Sequence, residues 1–426
     1  MRFTLYAFCF FLLLTSCATY RPIQRQLRQN SQLIDHFTGF ALYDWEKQKM
    51  VVQHNADQYF TPASNTKLFS FYAGLVTLGD SIPALRYVTR ADSLIFWGTG
   101  DPLLLNLNLP DTTVLHFLRN RPERLFFSPA NYSGPRFGPG WAWDDYNDDY
   151  SAELAPLPLY GNFVRFSSPD RVARLVVEPR FFQDSVTAVS LRRHSRSVQR
   201  NEIDNQFDRP EVVRPFKQDV PFRWSPQLAA RLLTDTLHRE VSVAPIPFDR
   251  SAKTLYSQPA DSLYKRMLQV SDNTLAEHLM LLCASVQDTL NSSVGIQTVL
   301  QKHLADLPDK PQWVDGSGLS RYNLFTPRSM VSLLQKIHKI IPQERLFNLL
   351  AVGGSAGTIQ RLYKTDRPFV FAKSGSMTGV YNLSGYLITK KGKLLLFSMM
   401  NNNFAGSVAD MRSRTAAFLT GIYERY

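Results

Sequence analysis

Ser64-Asn65-Thr66-Lys67 is the stretch on which the reading of this chain turns. It follows Pro62 and runs into Leu68-Phe69-Ser70-Phe71, and proline just ahead of an apolar run predicts a helix over residues 62–77. Residues three apart share a helix face, so the Ser64 hydroxyl and the Lys67 amine can touch. A serine is a weak nucleophile until a neighbouring base takes its proton. A lysine is that base where burial or a nearby cation lowers its pKa. The start of a helix also favours developing negative charge. Standing alone, S-x-x-K is better read as a helix-capping serine.

Two distant segments change that balance. Ser271-Asp272-Asn273 precedes a helix carrying Leu275, Leu279 and Leu282. Its hydroxyl can relay a proton to a leaving amine and its amide can hold a substrate backbone group; by itself it too reads as a helix cap. Lys373-Ser374-Gly375-Ser376 follows the apolar strand Phe369-Val370-Phe371-Ala372. A lysine and a hydroxyl there can receive a carboxylate, and the glycine admits a second backbone. A free strand edge beside them binds an extended peptide by backbone pairing. In isolation this is an ordinary strand end.

Around these segments the pattern predicts a helix over residues 26–37, a hairpin over 39–53, helical stretches over 226–238 and 262–287, a hairpin over 383–399 and a last helix over 408–423. Between residues 86 and 222 short β-branched strands alternate with Gly/Pro turns, a strand-rich insertion. The expected layout is a signal peptide over 1–16, a catalytic domain in two parts over 17–85 and 223–426, and the insertion over 86–222, which holds one or two subdomains.

The three motifs, in this order and on these elements, resemble the signature shared by penicillin-binding proteins and class A β-lactamases. Gly98-Thr99-Gly100-Asp101-Pro102, Pro139-Gly140-Trp141-Ala142-Trp143-Asp144-Asp145, Asp315-Gly316-Ser317-Gly318-Leu319-Ser320-Arg321 and Gly357-Thr358 extend the resemblance to the peptidase S13 family. These are D-alanyl-D-alanine carboxypeptidases and endopeptidases, the low-molecular-mass class C penicillin-binding proteins. The resemblance implies an α+β fold of the penicillin-binding/β-lactamase type, an α/β/α sandwich around an antiparallel sheet, with the strand-rich insertion added. It implies that Ser64 attacks the penultimate D-alanine carbonyl, Lys67 is the base and Ser271 returns a proton to the departing amine. Asn273 then holds substrate, and Lys373 and Ser374 beside Gly375 grip the terminal carboxylate. The amides of Ser64 and Ser376 form an oxyanion hole, an effect of about 3 kcal/mol per donor. Asp145, Tyr150 and Arg321 surround a diamino-acid side chain, with Asp145 on its free amine. Ser374 replaces the commoner threonine, and Thr378 falls where some relatives carry glutamine.

The resemblance also implies peptidoglycan peptides as substrate, β-lactams as inhibitors, and no metal or organic cofactor. Arg2 followed by the apolar residues 3–14 and Leu14-Thr15-Ser16-Cys17 resembles an exported lipoprotein leader, with Cys17 lipidated and the protein tethered to a membrane facing the periplasm. Cys283 reads as a buried small hydrophobe. The formal charge of +12 has its densest basic stretch over residues 192–200 without interleaved aromatics, so no nucleic-acid module is read. Gly353-Gly354-Ser355-Ala356-Gly357 fits G-x-S-x-G, but the last histidine is His338, so the triad of an α/β-hydrolase fails on order. The eight histidines are scattered without H-E-x-x-H, and His278 reads as a packed residue. A serine β-lactamase and an inactive wall-binding scaffold are the competing functions. The long insertion argues against the first and the filled motif positions against the second.

Overall fold

The structure, a computed structural model, describes residues 20–29, 36–168, 175–189, 197–210 and 215–426. The expected signal peptide and Cys17 lie outside the described residues, as do residues 192–196 of the basic stretch.

A six-stranded antiparallel sheet carries the site. Its strands run, in spatial order, Ala351–Val352, Val370–Met377, Val380–Ile388, Leu394–Asn402, Phe37–Asp44 and Lys49–His54. Successive strand residues face opposite sides, and both sides are apolar here. Phe40, Leu42, Leu383, Phe397 and Met399 pack with Ile23, Leu27, Phe418, Leu419 and Ile422 from the helices Arg21–Gln29 and Val408–Arg425. Ala41, Tyr43, Tyr386, Leu396 and Met400 pack instead with the helices Lys67–Thr77, Ala260–Gln269, Asn273–Ser285 and Pro327–Ile340. Helices therefore cover both faces, the expected α/β/α sandwich, and the strands read as almost continuous apolar runs for that reason.

Two helix expectations are corrected. The N-terminal helix spans Arg21–Gln29, and by Phe37 the chain is already strand, paired from Phe37 with Asn402. The stretch over 262–287 is two helices, Ala260–Gln269 and Asn273–Ser285. Ser271 lies between them at φ 67°, in the left-handed region, and the Asp272 carboxylate accepts the Leu275 N–H at 3.1 Å as the cap of the second. Continuous apolar periodicity hid a break that two residues make.

The inserted region is strand-rich, as expected. A five-stranded mixed sheet orders Val241–Val243, Arg124–Ser128, Ser93–Gly98, Ser81–Arg90 and Lys253–Pro259, with two three-stranded sheets beside it. Its core joins Phe96, Phe127, Phe166, Phe207 and Phe222 to Leu228, Leu232, Leu233 and Val241. The helix Pro226–Leu237 packs in this same core. The turn Gly98-Thr99-Gly100-Asp101-Pro102 seats it on the catalytic body: Gly100 is at φ 85°, and a β-carbon added there would stand 2.7 Å from the Leu281 side chain.

Candidate active site

Ser64 lies in a single 3-10 turn, Ala63–Thr66, and Lys67 opens the α-helix Lys67–Thr77. The expected helix therefore begins with a tighter turn. The Lys67 ammonium is fully buried and donates to Ser64 Oγ at 2.9 Å, Asn273 Oδ1 at 2.6 Å and the Ser317 carbonyl at 2.8 Å. Burial brings its pKa down to about 8, against the opposing pull of Glu277, Asp315 and Asp272. A lysine so lowered is neutral in about a tenth of molecules at pH 7, far more than an ordinary lysine, and the Ser64 hydroxyl is within its reach.

Lys373, Ser374 and Gly375 lie within the strand Val370–Met377 rather than after it. The buried Lys373 amine donates to Ser271 Oγ at 2.9 Å and to the Ser374 carbonyl at 2.6 Å. Burial, then the nearby Lys67 cation, holds its pKa well below the usual lysine value. The Ser374 hydroxyl meets Thr358 Oγ1 at 2.6 Å. Gly375 is where strand and turn close on each other: a β-carbon there would stand 2.5 Å from the Pro62 carbonyl and 2.9 Å from the Ser64 nitrogen. The Asn65 amide locks this contact by donating to the Lys373 carbonyl at 2.9 Å. Ser64, Lys67, Ser271, Asn273, Lys373, Ser374 and Gly375 are thus brought together from three distant segments.

The cleft at Ser64 has a volume of about 660 Å³ and is lined in part by Asp145, Tyr150, Asn273, Arg321, Ser376 and Thr378. The Tyr150 hydroxyl donates to Asp145 Oδ1 at 2.9 Å and Asp148 Oδ2 at 3.0 Å, while its carbonyl accepts the Asn273 amide at 3.0 Å. Withdrawal from water raises the Asp145 pKa, with Asp148 and Asp144 adding to the rise. Arg321 donates to the Thr378 carbonyl at 3.0 Å, which joins the two sides of the cleft mouth. Of the expected site residues, Ser64, Asn273, Ser376, Asp145, Tyr150 and Arg321 line this cleft and Lys67 bonds to Ser64 and Asn273, while Ser271, Lys373, Ser374 and Gly375 lie outside its lining, on the strand and turn packed beside Ser64.

The D-Ala-D-Ala carboxypeptidase 3 (S13) family profile matches residues 21–420. The chain belongs to this family. It is similar to D-alanyl-D-alanine carboxypeptidase DacB of Haemophilus influenzae, at 24% identity over 424 residues covering 88% of this chain and 87% of the relative. Penicillin-sensitive carboxypeptidase A of Dictyostelium discoideum is 23% identical over 427 residues, covering 84% of this chain and 80% of the relative. Among solved structures, penicillin binding protein 4 (dacB) from Haemophilus influenzae has the same fold, with a TM-score of 0.75 at 21% identity, covering 94% of this chain and 98% of that one.

Two residues that shape the site, Glu277 and Asp315, had no role assigned from sequence. Glu277, buried on the helix Asn273–Ser285, accepts the N–H groups of Gly316 at 3.0 Å and Ser317 at 2.7 Å. Asp315 accepts from Gly318 at 2.8 Å, Ser320 at 2.7 Å, Asn323 at 2.7 Å and Trp141 at 3.0 Å. Together they hold the loop whose Ser317 carbonyl receives Lys67. Burial pushes both carboxyl groups upward, and Asp315 adds to the rise at Glu277. A carboxylate four residues after Asn273, inside an apolar helix run, was the visible signal for Glu277. Ser355, by contrast, is exposed in a turn closed by Ala356 N–H on the Val352 carbonyl at 2.9 Å.

Proposed function

We propose that this S13-family protein is a serine-type D-Ala-D-Ala carboxypeptidase and DD-endopeptidase acting on peptidoglycan stem peptides and cross-links, and that β-lactams inhibit it. One observation carries the reading: Ser64 Oγ lies 2.9 Å from the Lys67 amine, and the strand packed against the Ser64 turn holds the Lys373 amine 2.9 Å from Ser271 Oγ. The first pair suits activation of a nucleophile and the second suits return of a proton.

In this reading neutral Lys67 takes the Ser64 proton as Oγ attacks the penultimate D-alanine carbonyl. The amides of Ser64 and Ser376 stabilise the oxyanion. Collapse breaks the peptide C–N bond: Ser271, supported by Lys373, gives its proton to the departing amine and is refilled by the proton that Lys67 took from Ser64, which leaves Lys67 neutral again. Water then enters and attacks the ester as it gives a proton to Lys67, and Lys67 returns that proton to Ser64 Oγ as the ester C–O bond breaks. The terminal carboxylate of the substrate meets Ser374, with the buried Lys373 amine behind it, and Thr358 orients the Ser374 hydroxyl. Asn273 holds the substrate backbone with the N–H that it does not give to Tyr150. Asp145, Tyr150 and Arg321 receive the diamino-acid side chain, a cationic amine beside Asp145. The same acylation serves a free terminal D-alanine and a cross-link.

Inhibition by β-lactams is supported by penicillin binding protein 4 from Haemophilus influenzae, similar in fold at a TM-score of 0.67 and solved complexed with a novel β-lactam. The test is mass spectrometry after incubation with penicillin and with cross-linked muropeptides. An acyl mass on Ser64, release of D-alanine, and loss of both in Ser64→Ala are the expected results. A folded protein that takes up no acyl group would sink the reading.

Export and a lipid anchor on Cys17 belong to the same proposal and rest on the leader sequence. Labelled palmitate incorporated by the full chain, and absent from Cys17→Ala, is the expected outcome; equal labelling of both would refute the anchor.

A further inference from the structure

We propose that the end of the central sheet opposite the catalytic cleft is a docking surface for the anionic phospholipid headgroups of a bilayer, and that docking there turns the cleft away from the membrane. The inference builds on the Cys17 anchor proposed above and adds an orientation to it, and its test separates the two.

The strands define the two ends. The turn at residues 378–379, between Val370–Met377 and Val380–Ile388, borders the cleft through Met377 and Thr378. Nine strand residues later, about 30 Å along an extended chain, the backbone turns again at residues 389–393. Other segments meet it there. The Trp45 N–H donates to the Leu394 carbonyl at 3.1 Å, which brings the turn between Phe37–Asp44 and Lys49–His54 alongside. The Lys390 N–H donates to the Tyr423 carbonyl at 3.0 Å, near the end of the helix Val408–Arg425. Tyr20 stacks on Tyr426 with ring centroids 5.0 Å apart and donates to the buried Asp44 at 2.7 Å. Tyr20 stands three positions after Cys17. Three residues reach at most about 11 Å, so a lipid on Cys17 brings the bilayer to this end.

The charge at this end is positive and unpaired. Arg21, Arg25, Lys390 and Lys391 are exposed and form no ion pair or side-chain hydrogen bond among the described residues. Lys47 adds a cation 5.1 Å over the Tyr20 ring, with Asp44 at 3.8 Å. On these segments the exposed acids are Glu46 and Glu424. Elsewhere arginines meet carboxylates, as Arg86 does Asp288, Arg165 does Asp219 and Arg345 does Asp261. Beside the free cations stand the half-buried Trp45, its ring 4.4 Å from that of His338, and Ile340, 47% exposed. Tryptophan and aliphatic groups next to basic ones suit the boundary between headgroups and acyl chains.

The tether selects the partner. Any polyanion is attracted by unpaired cations, but only a bilayer is delivered to this end by a lipid at Cys17. Each basic group beside an anionic leaflet strengthens attachment by about five-fold. A lipid alone leaves the body free to tumble on its linker. A charged face at the tethered end fixes one orientation, with the cleft about 30 Å out toward the wall peptides proposed as substrate.

The test is amide hydrogen exchange of the full chain in phosphatidylcholine vesicles, with and without about one third phosphatidylglycerol. Amides of residues 45–48 and 389–392 should exchange several-fold more slowly on the anionic vesicles, with the difference lost at high salt and absent from residues 376–379. Lys390→Gln combined with Lys391→Gln should weaken docking by about 25-fold and bring exchange to the zwitterionic level. The corresponding double arginine variant should keep the protection, and Arg250→Gln, on an exposed turn elsewhere, should leave it unchanged. Penicillin acylation should stay parental in all of them. Equal exchange on both vesicle types, or protection that survives the two glutamines, overturns the docking surface. Protection by soluble polyphosphate as strong as that on vesicles overturns it as well, in favour of a site for a wall polymer. Mass spectrometry of Cys17 reads the anchor separately: a lipidated chain without protection keeps the anchor and loses the surface, and an unlipidated chain with protection on anionic vesicles alone keeps the surface and loses the anchor.

Discussion

At Lys67 two effects oppose each other. Burial disfavours the ammonium, while the carboxylates of Glu277, Asp315 and Asp272 favour it, and burial wins, leaving the pKa at about 8. The base is the neutral amine, so kcat/KM should climb with pH through an inflection near 8; a pH–rate profile flat from 6 to 9 would contradict Lys67 as base. Glu277→Gln removes a group that raises the Lys67 pKa, so that inflection should move to lower pH. The same variant keeps one acceptor for the Gly316 and Ser317 amides but not both, so kcat should also fall, by about ten-fold. A purely structural Glu277 would lower stability without moving the profile. Sequence pattern made Ser64 and Lys67 legible because their meeting is local. It did not reveal the burial of Glu277 and Asp315 beneath them, since burial depends on what packs from elsewhere.

Between elements the critical contact is the strand Val370–Met377 against the 3-10 turn of Ser64. It exists because residue 375 has no side chain. Gly375→Ala places a methyl 2.5 Å from the Pro62 carbonyl, so strand and turn must part by a sizeable fraction of an ångström. Activity should drop by about a hundred-fold, the scale of small misplacements at reacting centres, while the far-ultraviolet circular dichroism stays that of the parent. A variant with parental kcat/KM would show that this contact does not set the geometry. The break between the helices Ala260–Gln269 and Asn273–Ser285 is the second element-scale device. Asp272→Ala loses the cap on Leu275 and the partner of Arg266, and should cost about 1 kcal/mol in urea unfolding. The capping and catalytic readings of Ser271-Asp272-Asn273 turn out to be compatible: one residue caps the helix, and the residues on either side of it turn toward two lysines.

For the whole molecule, the seam between the insertion and the catalytic body carries a buried acid. Asp101 accepts Ser257 Oγ at 2.8 Å and the Leu103 N–H at 3.0 Å, yet burial raises its pKa to about 7. The folded state therefore prefers the protonated acid, and that preference contributes stability at low pH that is lost as pH rises through about 7. Asp101→Asn should raise the Tm at pH 8, by an amount on the order of 2 kcal/mol in stability, and change little at pH 4. Equal effects at both values would rule out titration of Asp101. The helix Pro226–Leu237 also needed the folded chain to be placed. Its amphipathic pattern fits either body, and only the packing of Leu232 and Leu233 beside Phe166 and Phe222 shows which core it joins.

What the residues determined alone was whatever depends on neighbours along the chain or on a short ordered signature. That includes the serine–lysine pair on one turn, the paired strands near the C-terminus, the β-rich texture of the middle and the order of the three motifs. What folding alone decided was convergence. Ser64, Ser271 and Lys373 lie more than a hundred positions apart in all three pairings, and no periodicity encodes which turn faces which strand. That choice follows from the two-sided apolar sheet, which must bury both faces and so presses the helix entrance of Lys67 onto the strand of Lys373.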